Sequence, residues 1–81
     1  DQLDDQALII LEALGGKENI EELNNCATRL RVSVKDETKL ASDSVFKQAG
    51  AHEVLRKGKA IQVIVGLTVS SVKERIEGLM K

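Results

Sequence analysis

The sequence contains no tryptophan, no tyrosine and no proline, and only one phenylalanine (Phe46), one cysteine (Cys26) and one histidine (His52). Each scarcity excludes something. Without Trp and Tyr the chain lacks the stacking platforms on which single-stranded nucleic acids are held, so no nucleic-acid partner is expected. A core with one aromatic must be built from Leu, Ile, Val and Ala. One cysteine rules out an internal disulfide framework, and one cysteine with one histidine cannot close a structural zinc site. No metal or cofactor is read. A lone reduced thiol fits the cytosolic side of a cell. No apolar run approaches the ~20 residues that span a bilayer, and no signal-peptide pattern appears. There are no repeats, low-complexity segments or proline linkers.

What is present is a chain of 81 residues, 42% hydrophobic and 31% charged with the signs well mixed, enough for one domain with a modest core. A start at Asp1 without an initiator Met is the expectation for a segment of a longer protein. The net charge is −1, but the signs are unevenly spread. Residues 1–25 carry seven acids against Lys17 alone, whereas residues 26–81 carry eleven bases against six acids. The changeover falls at Cys26. The bias is too mild for a nucleic-acid surface and fits a local anion site.

Leu3, Ala7, Ile10, Leu11 and Leu14 recur at helical spacing, which predicts a helix over 3–14 with Asp4 and Asp5 in its first turn. Gly15-Gly16 supplies the stop. Residues 29–35 alternate instead. Leu30, Val32 and Val34 take a buried face, and Arg29 and Arg31 share the opposite one with Ser33. If residues 20–25 form a strand too, Cys26 lies in a hairpin connection. Ser42 or Asp43 caps a short helix over 44–49, ended by Gly50, with Val45, Phe46 and Ala49 inward. Residues 52–56 and 60–66 read as two further strands around Lys57-Gly58-Lys59. Thr68 then caps a last helix with Val69, Val72, Ile76 and Leu79 as its apolar stripe. The expected fold is α+β, an open-faced sandwich of order αββαββα: a four-stranded antiparallel sheet with three helices on one face.

The chemistry concentrates in Asn24-Asn25-Cys26-Ala27-Thr28-Arg29-Leu30-Arg31. A single cysteine is most often a small buried hydrophobe. Here it sits in a polar, turn-like segment, and two arginines on one strand face begin three residues later. A cation near a thiol favours the nucleophilic thiolate. The same arrangement suits a phosphorylated cysteine, because guanidinium groups grip phosphate oxygens with two donors and turn amides add more. Thr28 can donate its hydroxyl to the same anion. These residues by themselves read as a reactive-thiol or anion site. His52 reads as an edge residue, and Arg56, Lys57 and Lys59 as a solvated turn rather than a docking patch. Glu21 and Glu22 would point to opposite faces of a strand, which makes them a poor carboxylate pair.

Gly15-Gly16-Lys17-Glu18-Asn19-Ile20 followed by Cys26-x-Thr28-Arg29-Leu30-Arg31-Val32 resembles the IIB signature of the glucose and N-acetylglucosamine branch of the sugar phosphotransferase systems. Gly50-Ala51 and Ile61-Gln62-Val63-Ile64-Val65-Gly66 fit as well, so the resemblance covers essentially the whole chain. It implies that residues 1–81 are one IIB domain at the cytoplasmic face of the membrane, a soluble part of a permease. Cys26 would accept phosphate from a phosphohistidine on a IIA partner and pass it to a sugar held by a IIC membrane domain. Thr28, Arg29 and Arg31 would hold the phosphate. The alternative is a regulatory interaction domain of the same fold without transfer activity. A small RNA-binding α+β domain fits the element order only loosely, for want of stacking aromatics and a G-x-x-G loop.

Overall fold

A computed structural model describes residues 2–81. The elements follow in the order α1 (Gln2–Ala13), β1 (Ile20–Asn25), β2 (Arg29–Val34), α2 (Asp43–Gln48), β3 (Glu53–Lys57), β4 (Ala60–Ile64) and α3 (Val69–Met80). Short 3₁₀ turns occupy Lys17–Asn19 and Glu37–Lys39. The strands form one sheet in the order β1-β2-β4-β3, antiparallel at every junction. This is the expected open-faced sandwich.

Period two decides the two faces. Leu30, Val32 and Val34 on β2, Ile61 and Val63 on β4 and Val54 on β3 are buried under the helices. Ala7, Ile10, Leu11 and Leu14 from α1 and its end, Phe46 from α2, and Val69, Val72 and Ile76 from α3 complete the core. Each large aliphatic so buried is worth about 1.5–3 kcal/mol. The alternate positions form the open face. Register places Asn24, Arg31, Gln62 and Leu55 in one row across it, and Arg29, Ile64 and Glu53 in the next.

Gly15 and Gly16 end α1 as expected. The Gly15 amide donates to the Glu12 carbonyl and the Gly16 amide to that of Leu11, with both residues at positive φ (102° and 84°). A Cβ on Gly15 would come within 2.6 Å of Asn19 Nδ2. That contact marks the reason for Asn19, the one buried polar side chain among the described residues, 2% exposed. Its Nδ2 donates to the carbonyls of Leu14 (2.8 Å) and Asp36 (3.0 Å), and its Oδ1 accepts from the Asp36 amide (2.9 Å). One side chain thus ties the end of α1 to the loop after β2, and so fixes where the β1–β2 hairpin stands. Asn19→Leu is expected to cost about 2–4 kcal/mol, because it leaves buried backbone groups without partners. Urea unfolding measures this; an unchanged midpoint would show the tie to be dispensable.

Several local expectations need correction. Thr68 stands at the start of α3 but makes no side-chain capping bond; its backbone (φ −85°, ψ 7°) lacks the extended geometry a cap requires. Ser42 stands at the start of α2, yet its hydroxyl meets that of Ser44 at 2.9 Å instead of a helix amide. Leu79 is 45% exposed, and Met80 packs against the core in its place. β4 ends at Ile64 because the amides of Val65 and Gly66 both turn to the Thr28 carbonyl, each at 3.0 Å. Arg56 is not a free cation of a solvated turn. It lies over the Phe46 ring at 5.9 Å, bonds Asp43 Oδ1 at 2.6 Å and donates to the Ala41 carbonyl, strapping β3 to α2.

Candidate functional site

The β1–β2 connection is three residues, Cys26 to Thr28. The Cys26 amide donates to the Arg29 carbonyl at 2.9 Å, extending the strand register one step beyond the Asn25–Leu30 pair. Residues opposite one another in an antiparallel pair share a face. Asn25 therefore sides with buried Leu30, and its Nδ2 reaches Ser70 Oγ on α3 at 3.5 Å. Cys26 sides with Arg29 and the open face, and its thiol is exposed. Among the described residues, no backbone carbonyl takes the amides of Ala27 or Thr28. Two free N–H groups follow directly on an exposed thiol.

The four residues singled out in the sequence occur together at one end of the sheet, in different states. Thr28 is half-buried, with its carbonyl engaged by the two amides after β4 and its hydroxyl unpartnered among the described residues. Arg29 is half-buried and held: its Nη1 donates to Gln62 Oε1 at 2.8 Å. Arg31 is exposed, and its guanidinium has no hydrogen-bonded partner among the described residues. It lines a shallow depression of about 460 Å³ on the open face with Glu22, Asn24, Ser33 and Gln62. Among the described residues one guanidinium is anchored and the other is not, Arg29 opposite the thiol-bearing residue and Arg31 one row further along the sheet. Such a set can hold a tetrahedral dianion through two-donor guanidinium contacts and turn amides.

Gln62 is the residue that the sequence did not single out. Its position in the Ile61-Gln62-Val63 alternation places it on the open face, but only the β2–β4 register brings it to the arginines. His52 is exposed and comes to the same end of the sheet. Its amide donates to the Ile64 carbonyl at 2.7 Å, and a Cβ on Gly66 would lie 3.6 Å from its Nε2. Gly66 thus neighbours both the His52 ring and, through its amide, the Thr28 carbonyl.

Fold and site together define a small open-faced sandwich that presents one exposed thiol and two arginines towards one end of its sheet. A profile of the phosphotransferase system EIIB family matches residues 9–40, which include Cys26, Arg29 and Arg31. The N-acetylglucosamine-specific EIIB component of Streptomyces coelicolor is 42% identical over 88% of this chain and 91% of its own length. The alpha-glucoside-specific EIICB component of Leptotrichia buccalis is 70% identical over the whole of this chain, which spans 15% of that protein. One domain of a phosphotransferase IIabc component from Clostridium difficile superposes with a TM-score of 0.81 at 25% identity, covering 96% of this chain and 82% of that one. The chain belongs to the EIIB family of the sugar phosphotransferase system, in its glucose branch. No helix among the described residues is long and apolar enough to cross a membrane.

Proposed function

We propose that this chain is a phosphoryl carrier in sugar uptake, with Cys26 as the residue that bears the phosphate. The observation that carries this reading is the exposed thiol opposite Arg29, followed by two unpaired amides. In the first step the Cys26 sulfur attacks the phosphorus of a phosphohistidine on a IIA partner. The S–P bond forms, the N–P bond breaks, and the imidazole leaves with the proton that the thiol gives up. In the second, a sugar hydroxyl held by a IIC membrane partner attacks the same phosphorus. The O–P bond forms, thiolate leaves, and the hydroxyl proton passes to a base on the IIC side. Thr28, Arg29 and Arg31 hold the phosphoryl oxygens in both steps. Their work is alignment and charge stabilisation, the main needs of phosphoryl transfer. The chain acts beside its IIC partner at the cytoplasmic face of the membrane.

The sugar class we assign is an α-glucoside, supported by the 70% identity to the Leptotrichia relative against 42% to the N-acetylglucosamine-specific one. Membranes bearing the cognate IIC protein test this directly. They are expected to phosphorylate an α-glucoside only when given both this chain and phospho-IIA, and to leave N-acetylglucosamine untouched. The opposite preference would overturn the sugar assignment and leave the carrier role standing.

A donor histidine must reach the Cys26 sulfur, so the surface around residues 25–31 is where IIA docks. Leu67 belongs to that rim. It is 91% exposed and follows Gly66, whose amide is bonded to Thr28. A leucine so exposed, one residue from the backbone bond to Thr28, suits an apolar contact. Leu67→Asp is expected to weaken IIA binding about tenfold without altering stability, the effect of losing one apolar anchor. Titration of labelled chain with IIA measures it, and equal affinity would remove Leu67 from the interface.

A further inference from the structure

We infer that Gln62 is the positioning residue for Arg29, and that it is a neutral amide so that Arg29 is held without losing its charge. The inference rests on the carrier reading above. The two arginines share one face of one strand, yet only Arg29 has a side-chain partner among the described residues, Gln62 Oε1 at 2.8 Å. Register sets Gln62 opposite Arg31, not Arg29. Its side chain therefore reaches diagonally along the sheet to the arginine nearer Cys26. An arginine side chain has several free torsions, and a single acceptor on the neighbouring strand removes most of that freedom before phosphate arrives. A guanidinium presents five donors. One spent on Gln62 leaves four, enough for a two-donor grip on a phosphoryl group.

The choice of acceptor matters as much as its place. A carboxylate at this position would hold Arg29 more tightly and cancel its charge, and it would stand as a second anion beside the incoming phosphate. An amide oxygen supplies the geometry and adds no charge. Gln62→Met keeps the length and removes the acceptor. Gln62→Glu keeps the acceptor and adds the charge. The two substitutions separate holding from neutrality.

The rate of single-turnover transfer from phospho-IIA to Cys26 reads the consequence. Gln62→Met is expected to slow it about tenfold, the scale of one hydrogen bond to a charged group. Gln62→Glu is expected to slow it at least as much, although Arg29 stays anchored. In an Arg29→Lys background Gln62→Met should slow transfer by less than about twofold, because a residue acting through Arg29 has nothing left to position. Anchoring is read without any transfer, by side-chain ¹⁵N NMR of Arg29. Resolved guanidinium proton signals are expected in the wild type and in Gln62→Glu, and averaged signals in Gln62→Met. Averaged signals already in the wild type would overturn the anchoring. An equal tenfold loss in both backgrounds, no loss in the wild-type background, or a fully active Gln62→Glu would overturn the role assigned to Gln62. Absence of phosphate on wild-type Cys26 would instead overturn the carrier reading, and with it any role for Gln62 in transfer. The NMR comparison still decides the anchoring in that case.

Discussion

Cys26→Ser is expected to abolish sugar phosphorylation, with a loss of at least about 10³-fold, while leaving the fold intact. The expectation has two parts. A hydroxyl titrates far above neutral pH and is a weaker nucleophile than a thiol, so attack on the phosphohistidine is expected to fail first. Even a phosphoserine, once made, would stall. An alkoxide is a much poorer leaving group than a thiolate, so a phosphate ester lacks the transfer potential to phosphorylate another alcohol. A carrier role of the kind proposed therefore requires sulfur at this position. Stability should be unaffected, because the side chain is exposed and its backbone bond to Arg29 does not depend on it. Mass spectrometry under non-acidic conditions, with sugar-phosphorylation rates on the same preparations, measures both parts. Turnover within tenfold of wild type in the serine variant would contradict them.

The second large effect concerns Arg29 and Arg31. Lysine keeps their charge and loses the planar fork that grips two oxygens at once. A phosphoryl group passing between two partners must be aligned for in-line attack, and misplacement by about 1 Å can cost on the order of 10²-fold. Arg29→Lys is thus expected to slow transfer to sugar about 10²-fold with an unchanged melting temperature. Arg31→Lys should lose less. Arg29 stands opposite Cys26 and is held in advance by Gln62, whereas Arg31 is free and one row further from the loop. The comparison with glutamine is informative. If charge alone sufficed, Lys would restore most activity that Gln loses. Near-wild-type turnover in both lysine variants would show that alignment by the guanidinium fork is not what these residues supply.

Where a short-range pattern dictates the outcome, the fold can be read from the residues alone. Leu30, Val32 and Val34 alternate because one sheet face is buried, and Gly15-Gly16 stop a helix because both need positive φ. Cys26 could be placed in an exposed turn because its neighbours are polar and its flanks alternate. Other features depend on contacts distant in sequence. The strand order β1-β2-β4-β3 follows from which hairpin edges meet under the helices, and no local pattern encodes it. Asn19 is part of the signature, but its burial arises from carbonyls at Leu14 and Asp36 that only the folded chain gathers. Leu79 and Met80 lie three and four residues past Ile76, so both fit the helical stripe. The packing of the last turn chose Met80. The same holds at the site. The arginine pair is visible in a period of two, whereas the Arg29–Gln62 bond spans 33 positions and needs the β2–β4 register.

Mapping the modified residue decides whether phosphate travels on Cys26. Wild-type chain incubated with phospho-IIA should carry one phosphoryl group, located on Cys26, discharged on addition of sugar and IIC membranes and absent from Cys26→Ser. A phosphoryl group found on His52, or no modification from a phospho-IIA preparation that loads another EIIB protein, would contradict it.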